Sequence, residues 1–232
     1  MQRIFPLTVA IILAFMPAAA MADFSPSALG QAFYRTMFGL EYAAHNGDAT
    51  RVKRYTNTVR FYVDDRSGLN RGRAAKAFVE SLPQTIRNFK GTVVNRPSAA
   101  NFKVVLVRNR DFAHAVANEL NADAIAMNAK CLVGVQTQGG RIVRSTAIIV
   151  ADRDFLFRRC LVEEVLQGLG PMNDDERLRH SVFNDSSRHA RFTEFDQALM
   201  NIIYHPAIRP GMNREAAGRV LPRVMRDLGY DR

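Results

Sequence analysis

The sequence predicts an α+β fold, a mixed β-sheet with a hairpin and flanking helices, and three observations carry that reading. Apolar residues recur at three- and four-residue spacing over several long segments, which marks amphipathic helices. Shorter segments alternate apolar with polar residues or run continuously apolar, as strands do. Between two such segments stands Gly139-Gly140, a pair able to adopt the positive φ of a tight hairpin connection. No internal repeat, low-complexity tract or long Pro/Ser linker divides the chain, so residues 23–232 are expected to form a single domain.

Residues 1–22 have the layout of a secretory signal peptide. Arg3 precedes an apolar run from Ile4 to Met16 interrupted only by Pro6 and Thr8, and Ala20-Met21-Ala22 supplies a small-residue cleavage site before Asp23. A membrane-spanning helix needs about 20 apolar residues, and the chain turns polar straight after Ala22. The mature chain is therefore expected outside the cytoplasm, periplasmic or secreted. In such an oxidising compartment the two cysteines, Cys131 and Cys160, default to one disulfide, since they lack the C-x-x-C spacing of a redox pair.

The elements follow in order. An N-terminal helix over 27–44 places Leu29, Phe33, Met37, Leu40 and Ala44 on one stripe, and Asn46-Gly47-Asp48 stops it. A core region, 57–205, begins with a strand over 58–63 whose Val59, Phe61 and Val63 share a side. A helix over 73–89 repeats Phe78, Leu82, Ile86 and Phe89, with Pro83 expected to bend or split it. Strands at 92–94 and 102–107 and a helix over 111–120 come next. The hairpin then pairs 131–135 with 142–150 around a loop from Gln136 to Gly140, and helices are expected over 155–169, 193–204 and 213–228. In the last of these, Pro222 opposes the carbonyl of Gly218 and predicts a kink.

The segment Cys160-Leu-Val-Glu163-Glu164-Val-Leu-Gln167-Gly-Leu-Gly170-Pro-Met-Asn173-Asp174 carries the chemistry. Its spacing is that of the metzincin signature H-E-x-x-H-x-x-G-x-x-H, with Glu164 and Gly170 kept and Glu163, Gln167 and Asn173 standing where the three histidines would be. On a helix Gln167 lies about 40° and Glu164 about 100° from Glu163, with Arg159 at about −40°. Phe157, Leu161, Val162, Val165, Leu166 and Leu169 fill the opposite half. A solvated face with a salt bridge is the plain alternative, because Arg159, Glu163 and Gln167 follow at i, i+4. Two details favour a site: Gly170 reproduces the chain reversal that returns a third ligand, and two carboxylates with an amide are costly to bury without a cation or hydrogen-bond partner.

Other chemistries find less support. The five histidines, His45, His114, His180, His189 and His205, contain no i, i+4 pair, although His180 or His189 could join Glu163 or Glu164 in a mixed site. Ser181 lacks a G-x-S-x-G context, and nothing identifies a sugar subsite beside the adjacent carboxylates. The net charge of +10 is mostly arginine scattered along the chain, which argues against nucleic acid. It suits solubility and peripheral contact with an anionic envelope surface.

The segment 160–174, with Ser181-Val-Phe-Asn184-Asp185-Ser186-Ser187, Phe192-Thr-Glu-Phe195-Asp196, Leu199, Tyr204 and Arg209-Pro210-Gly211-Met212, resembles the bacterial domain of unknown function 2927 family, which is grouped with zincin-like peptidases. The likeness spans most of the mature chain and is strongest over 131–212. It implies a zincin-like mixed sheet with 155–169 as the active-site helix. It also implies Glu164 at the general-base position, Glu163, Gln167 and Asn173 at the ligand positions with Asp174 and His180 as further lining candidates, and Ser181, Phe183 and Asn184 at the Met-turn, where Phe183 replaces methionine. Catalytic zinc prefers imidazole, so zinc is disfavoured; a carboxylate and two amide oxygens suit another divalent cation such as Ca²⁺ or Mg²⁺. The leading expectation is an exported, degenerate metalloprotease-type domain that binds a peptide or envelope protein along its hairpin edge. The alternative is an envelope metallohydrolase with Glu164 polarising a metal-bound water. A third is a structural protein whose Glu163, Gln167 and Asn173 hydrogen-bond to the loop 173–187 and bind nothing else.

Overall fold

The computed structural model describes residues 24–40, 49–123 and 129–231; the expected signal peptide lies outside them. Five strands form one mixed sheet in the order β2-β1-β3-β5-β4. β1 (Val59–Asp65) runs parallel to both β2 (Gly91–Val93) and β3 (Phe102–Val107), and β3 runs parallel to β5 (Arg141–Val150). β4 (Cys131–Gln138) closes the sheet antiparallel to β5. The α+β class expected from the sequence is thus the class observed.

Strand patterning follows from what covers each face. β1 buries Val59, Phe61 and Val63 on one side and exposes Arg60 between them. β3 and β5 are central and covered on both faces, which is why 104–107 and 147–150 run continuously apolar. Val104, Leu106, Ala147 and Ile149 enter the main core, whereas Val105, Val107, Ile148 and Val150 enter a smaller one under α3 (Phe112–Leu120). The main core gathers α1 (Pro26–Met37), α2 (Gly72–Thr85), α4 (Asp154–Gln167), α5 (Glu194–Ile203) and α6 (Arg214–Leu228) on the opposite face.

Several boundaries differ from the sequence expectation. α1 stops at Met37 rather than reaching 44: Phe38 leaves the helical backbone, and Gly39 packs so closely on the Asn173 side chain that a Cβ would come within 2.7 Å. Leu40 is therefore off the helix, and residues 41–44 lie outside the described segments. α2 passes through Pro83 and ends at Thr85, so Ile86 and Phe89 are buried from the following turn and not from a helical stripe. Proline at this position removes the helical donor to the Val79 carbonyl, and the helix ends two residues later. α4 ends at Gln167, two residues early, where Gly168 caps it. α6 continues past Pro222, with Asn213 accepting from the Ala216 amide at its start.

The hairpin is tighter than expected. Its strands extend to Gln138 and Arg141, leaving Gly139-Gly140 alone at the turn, with φ of 57° and 83°. A bulge between Gln136 and Thr137 absorbs the register change. Gly140 is also a close approach: a Cβ there would lie 2.2 Å from the Gly211 nitrogen and 2.6 Å from the Val52 carbonyl oxygen. The chain just after Val52 carries Arg54, whose Nη1 donates to the carbonyls of Ile203 at the end of α5 and of His205 and Ile208 beyond it, while its guanidinium lies 4.8 Å over the Tyr204 ring.

A disulfide joins Cys131, the first residue of β4, to Cys160 in α4 across a separation of 29 residues. Replacing both cysteines by serine is expected to lower the unfolding free energy by about 3 to 4 kcal/mol, from the entropy regained by the open unfolded chain. Urea denaturation of the oxidised protein and of the double variant measures the difference.

Candidate functional site

α4 places its apolar residues where the helical repeat demands, with Phe157, Leu161, Val162, Val165 and Leu166 buried in the core. Its polar side is buried as well. Arg159, Glu163, Glu164 and Gln167 are only 8, 4, 5 and 2 % exposed, so the solvated-face alternative is corrected: an irregular segment from Met172 to Ser187 folds back over them. The end of the helix is fixed from three sides. Ser145 of β5 donates to the Gly168 carbonyl at 2.8 Å, Tyr204 donates to the Leu169 carbonyl at 2.9 Å, and Gly170 turns the chain at φ 151° against the Lys53 carbonyl oxygen.

Arg159 is the centre of the covered face. Its Nη2 donates to Glu163 Oε1 at 3.0 Å and to the Asn184 carbonyl at 3.1 Å, and reaches Asp185 Oδ1 at 3.4 Å. Its Nη1 donates to the Ser187 carbonyl at 3.0 Å and to the Ser187 hydroxyl at 3.2 Å. One guanidinium thus ties a helix carboxylate to the backbone of the returning loop. Gln167 joins in through its Nε2, which donates to Asp174 Oδ1 at 2.9 Å.

The other expected site residues divide into those brought to this cluster and those held elsewhere. Glu164 offers a carboxylate oxygen within 4.8 Å of one on Glu163 and of the Cys131 sulfur, which is committed to the disulfide. Carboxylate oxygens of Glu163, Asp174 and Asp185 also lie within 4.8 Å of one another. Asn173 faces away, since its Nδ2 donates to the Arg35 and Asp174 carbonyls at 3.0 Å each. His180 stands exposed against the rings of Phe24 and Phe195, at centroid distances of 6.0 and 6.5 Å.

Within the loop, Ser181, Phe183 and Asn184 anchor it to the core and to its own backbone. Phe183 is fully buried in the main core. The Asn184 amide donates to the Glu176 carbonyl at 3.0 Å and its oxygen accepts from the Ser186 amide. Ser181 Oγ donates to Asp196 Oδ1 at 2.6 Å, and the Asp196 carboxylate also accepts from the amides of Val182 and Thr193 and from the Thr193 hydroxyl. Thr193 and Asp196 form a reciprocal capping box at the start of α5, a T-x-x-D pattern visible in the sequence. Burial pushes the Asp196 carboxyl above its ordinary range, opposed by the hydrogen bonds from Ser181, Thr193 and Val182.

Among comparisons with known proteins, the family described as a protein of unknown function (DUF2927) matches residues 26–223. The chain belongs to the DUF2927 family. No curated protein and no solved structure matches it. The DUF2927 match takes in α4 together with the segment that covers it, so helix and cover lie within one family unit. The residues of this DUF2927 site that sequence reasoning underrated are Arg159, Asp185 and Asp196. Arg159 was visible one turn before Glu163, but helical spacing carries no information about the loop that encloses it.

Two outcomes follow from the network. Arg159→Met is expected to destabilise the protein by about 3 to 5 kcal/mol, because it removes the cation beside a buried carboxylate. Adding Glu163→Leu should recover most of that loss, as urea unfolding of the single and double variants will measure. Asp196 binds its proton more tightly when folded, so its contribution to stability is full below the ordinary carboxylate range and is lost as pH rises through the folded pKa. Relative to Asp196→Asn, the parent protein should therefore lose stability as pH rises above the ordinary carboxylate range, about pH 4, read from urea midpoints on either side of it.

Proposed function

We propose that this DUF2927 chain is an exported, zincin-like protein whose ligand positions have become an internal polar network, and that it binds a peptide or an envelope protein instead of cleaving one. The observation that carries the reading is Arg159: a protein cation lies against Glu163 and Asp185, where a metal-dependent site would need their charge for the metal. The donor set does not fit catalytic zinc. Neither carboxylate cluster around α4 includes a histidine among the described residues, Asn173 is turned toward Arg35, and Gln167 engages Asp174. The Cys131–Cys160 disulfide is compatible with an oxidising compartment, in keeping with export.

The binding surface follows from the sheet order. β4 is the last strand, and among the described residues no further strand pairs with its outer side. An extended peptide added there would gain backbone hydrogen bonds beside α4. A second reading is favoured by one observation, the three converging carboxylates of Glu163, Asp174 and Asp185. They are hard oxygen donors suited to Ca²⁺ or Mg²⁺, with Glu164 nearby as a base, and in that reading Arg159 must release both Glu163 and Asp185.

Elemental analysis of the mature protein, purified from the periplasm without chelator, tests the choice. The expected result is substoichiometric zinc, calcium, magnesium and manganese, with no peptide cleavage and an unchanged preparation after Glu164→Gln. Stoichiometric metal that is lost in Gln167→Ala, or chelator-sensitive cleavage abolished by Glu164→Gln, would overturn the binding-protein reading.

A further inference from the structure

Away from the buried face of α4, two adjoining hollows of about 400 and 280 Å³ run along α1 and share Gln31, Arg35 and Arg177 as their common wall. The larger continues to Tyr34 and Arg214, and the smaller to Arg179. Among the described residues Asp175 is the one carboxylate that lines either hollow. The result is an elongated groove with four guanidiniums and a single internal counter-charge.

That counter-charge is largely consumed by Arg177. Asp175 accepts from Arg177 through both Nε and Nη2, at 2.7 and 2.5 Å, and from Arg35 through Nη1 at 2.9 Å. The Arg177 side chain beside it holds the Asp175 carboxyl well below the usual carboxylate range, so Asp175 stays charged and keeps both arginines in place. Its backbone amide donates to the Phe183 carbonyl, which fixes it to the loop over α4.

Two guanidiniums keep unused donors. Arg35 is partly buried and engages only Nη1 among the described residues. Arg214 forms no hydrogen bond or ion pair among them, yet it is not loose: its guanidinium stacks 4.7 Å over Tyr34 and 5.6 Å over Phe38. Stacking fixes the plane of the group and leaves its edge of N–H donors free, the geometry that suits a planar carboxylate. Arg214 is also the first residue of α6, whose N-terminal dipole end adds positive potential.

We propose that this groove binds an extended acidic peptide, with Arg35 and Arg214 receiving its carboxylates and Asp175 and Arg177 acting as positioning residues. A small ion would use one end of the groove, whereas arginines distributed over both hollows, with Gln31 in the shared wall, match a chain with repeated carboxylates. The site goes beyond the strand-edge reading and shares with the α4 network the loop that carries Asp175 and Arg177.

Fluorescence anisotropy with labelled hexaglutamate on the mature, disulfide-bonded protein provides the test, with labelled hexaglutamine and unlabelled inorganic phosphate alongside. Hexaglutamate should bind and hexaglutamine should not. Arg214→Gln and Arg35→Gln should each weaken binding by about tenfold or more, the loss of a charged hydrogen bond. Arg96→Gln, at an exposed arginine outside the groove, should bind as the parent does. Since Arg214 is exposed, its variant should keep the parent melting temperature, which separates lost binding from lost folding. Absence of hexaglutamate binding, equal weakening by Arg96→Gln, or full displacement of hexaglutamate by an equal concentration of phosphate would each overturn the proposal.

Discussion

The buried pair of Arg159 and Glu163 is the interaction on which the local architecture depends. Taking two charges out of water costs several kcal/mol per ion, and mutual attraction offsets this only when the remaining donors and acceptors are also satisfied. Arg159 meets that condition by donating to the carbonyls of Asn184 and Ser187 as well as to Glu163. The loop from Met172 to Ser187 has no helix or strand of its own, so its backbone must find partners one at a time. Arg159 supplies two of them at once. A second anchor, Asp196 with Ser181 and Val182, secures the middle of the loop to α5.

The covered helix is tied to its surroundings by different means at its middle and past its end. Near the middle, Cys160 is bonded to the edge strand. Past the last turn, the carbonyls of Gly168 and Leu169 are taken by Ser145 and Tyr204, groups rooted in β5 and at the end of α5. Helix ends leave carbonyls without helical partners, and here both the sheet and a neighbouring helix answer that need. The carboxylates on α4 are consequently held by a scaffold that fixes translation and rotation together.

Much of this arrangement was legible in the sequence, and the limits have physical causes. The alternation of Val59, Phe61 and Val63 and the continuous run from Val104 to Val107 report burial on one face and on two, because strand side chains alternate strictly. The apolar stripe of α4 was equally plain. Helical periodicity states which residues share a side; it does not state whether another segment covers that side. Nor does it extend beyond the helix, which is why Asn173 fits the ligand spacing while Asp174 is the residue that meets Gln167. The end of α1 depended on a contact between Gly39 and Asn173, residues far apart in the chain, and no local pattern encodes it.

The edge strand β4 shows a further consequence of this design. Its first residue is covalently bound to α4, and the turn at its other end is wedged between Val52 and Gly211 with no room for even a methyl group at Gly140. A hairpin at the margin of a sheet is ordinarily an element that can peel off and exchange with a second copy of the chain. Here both ends are closed, so domain swapping would require breaking a disulfide and withdrawing the turn from a closely packed seat. The sheet therefore ends on a strand that it does not lend out.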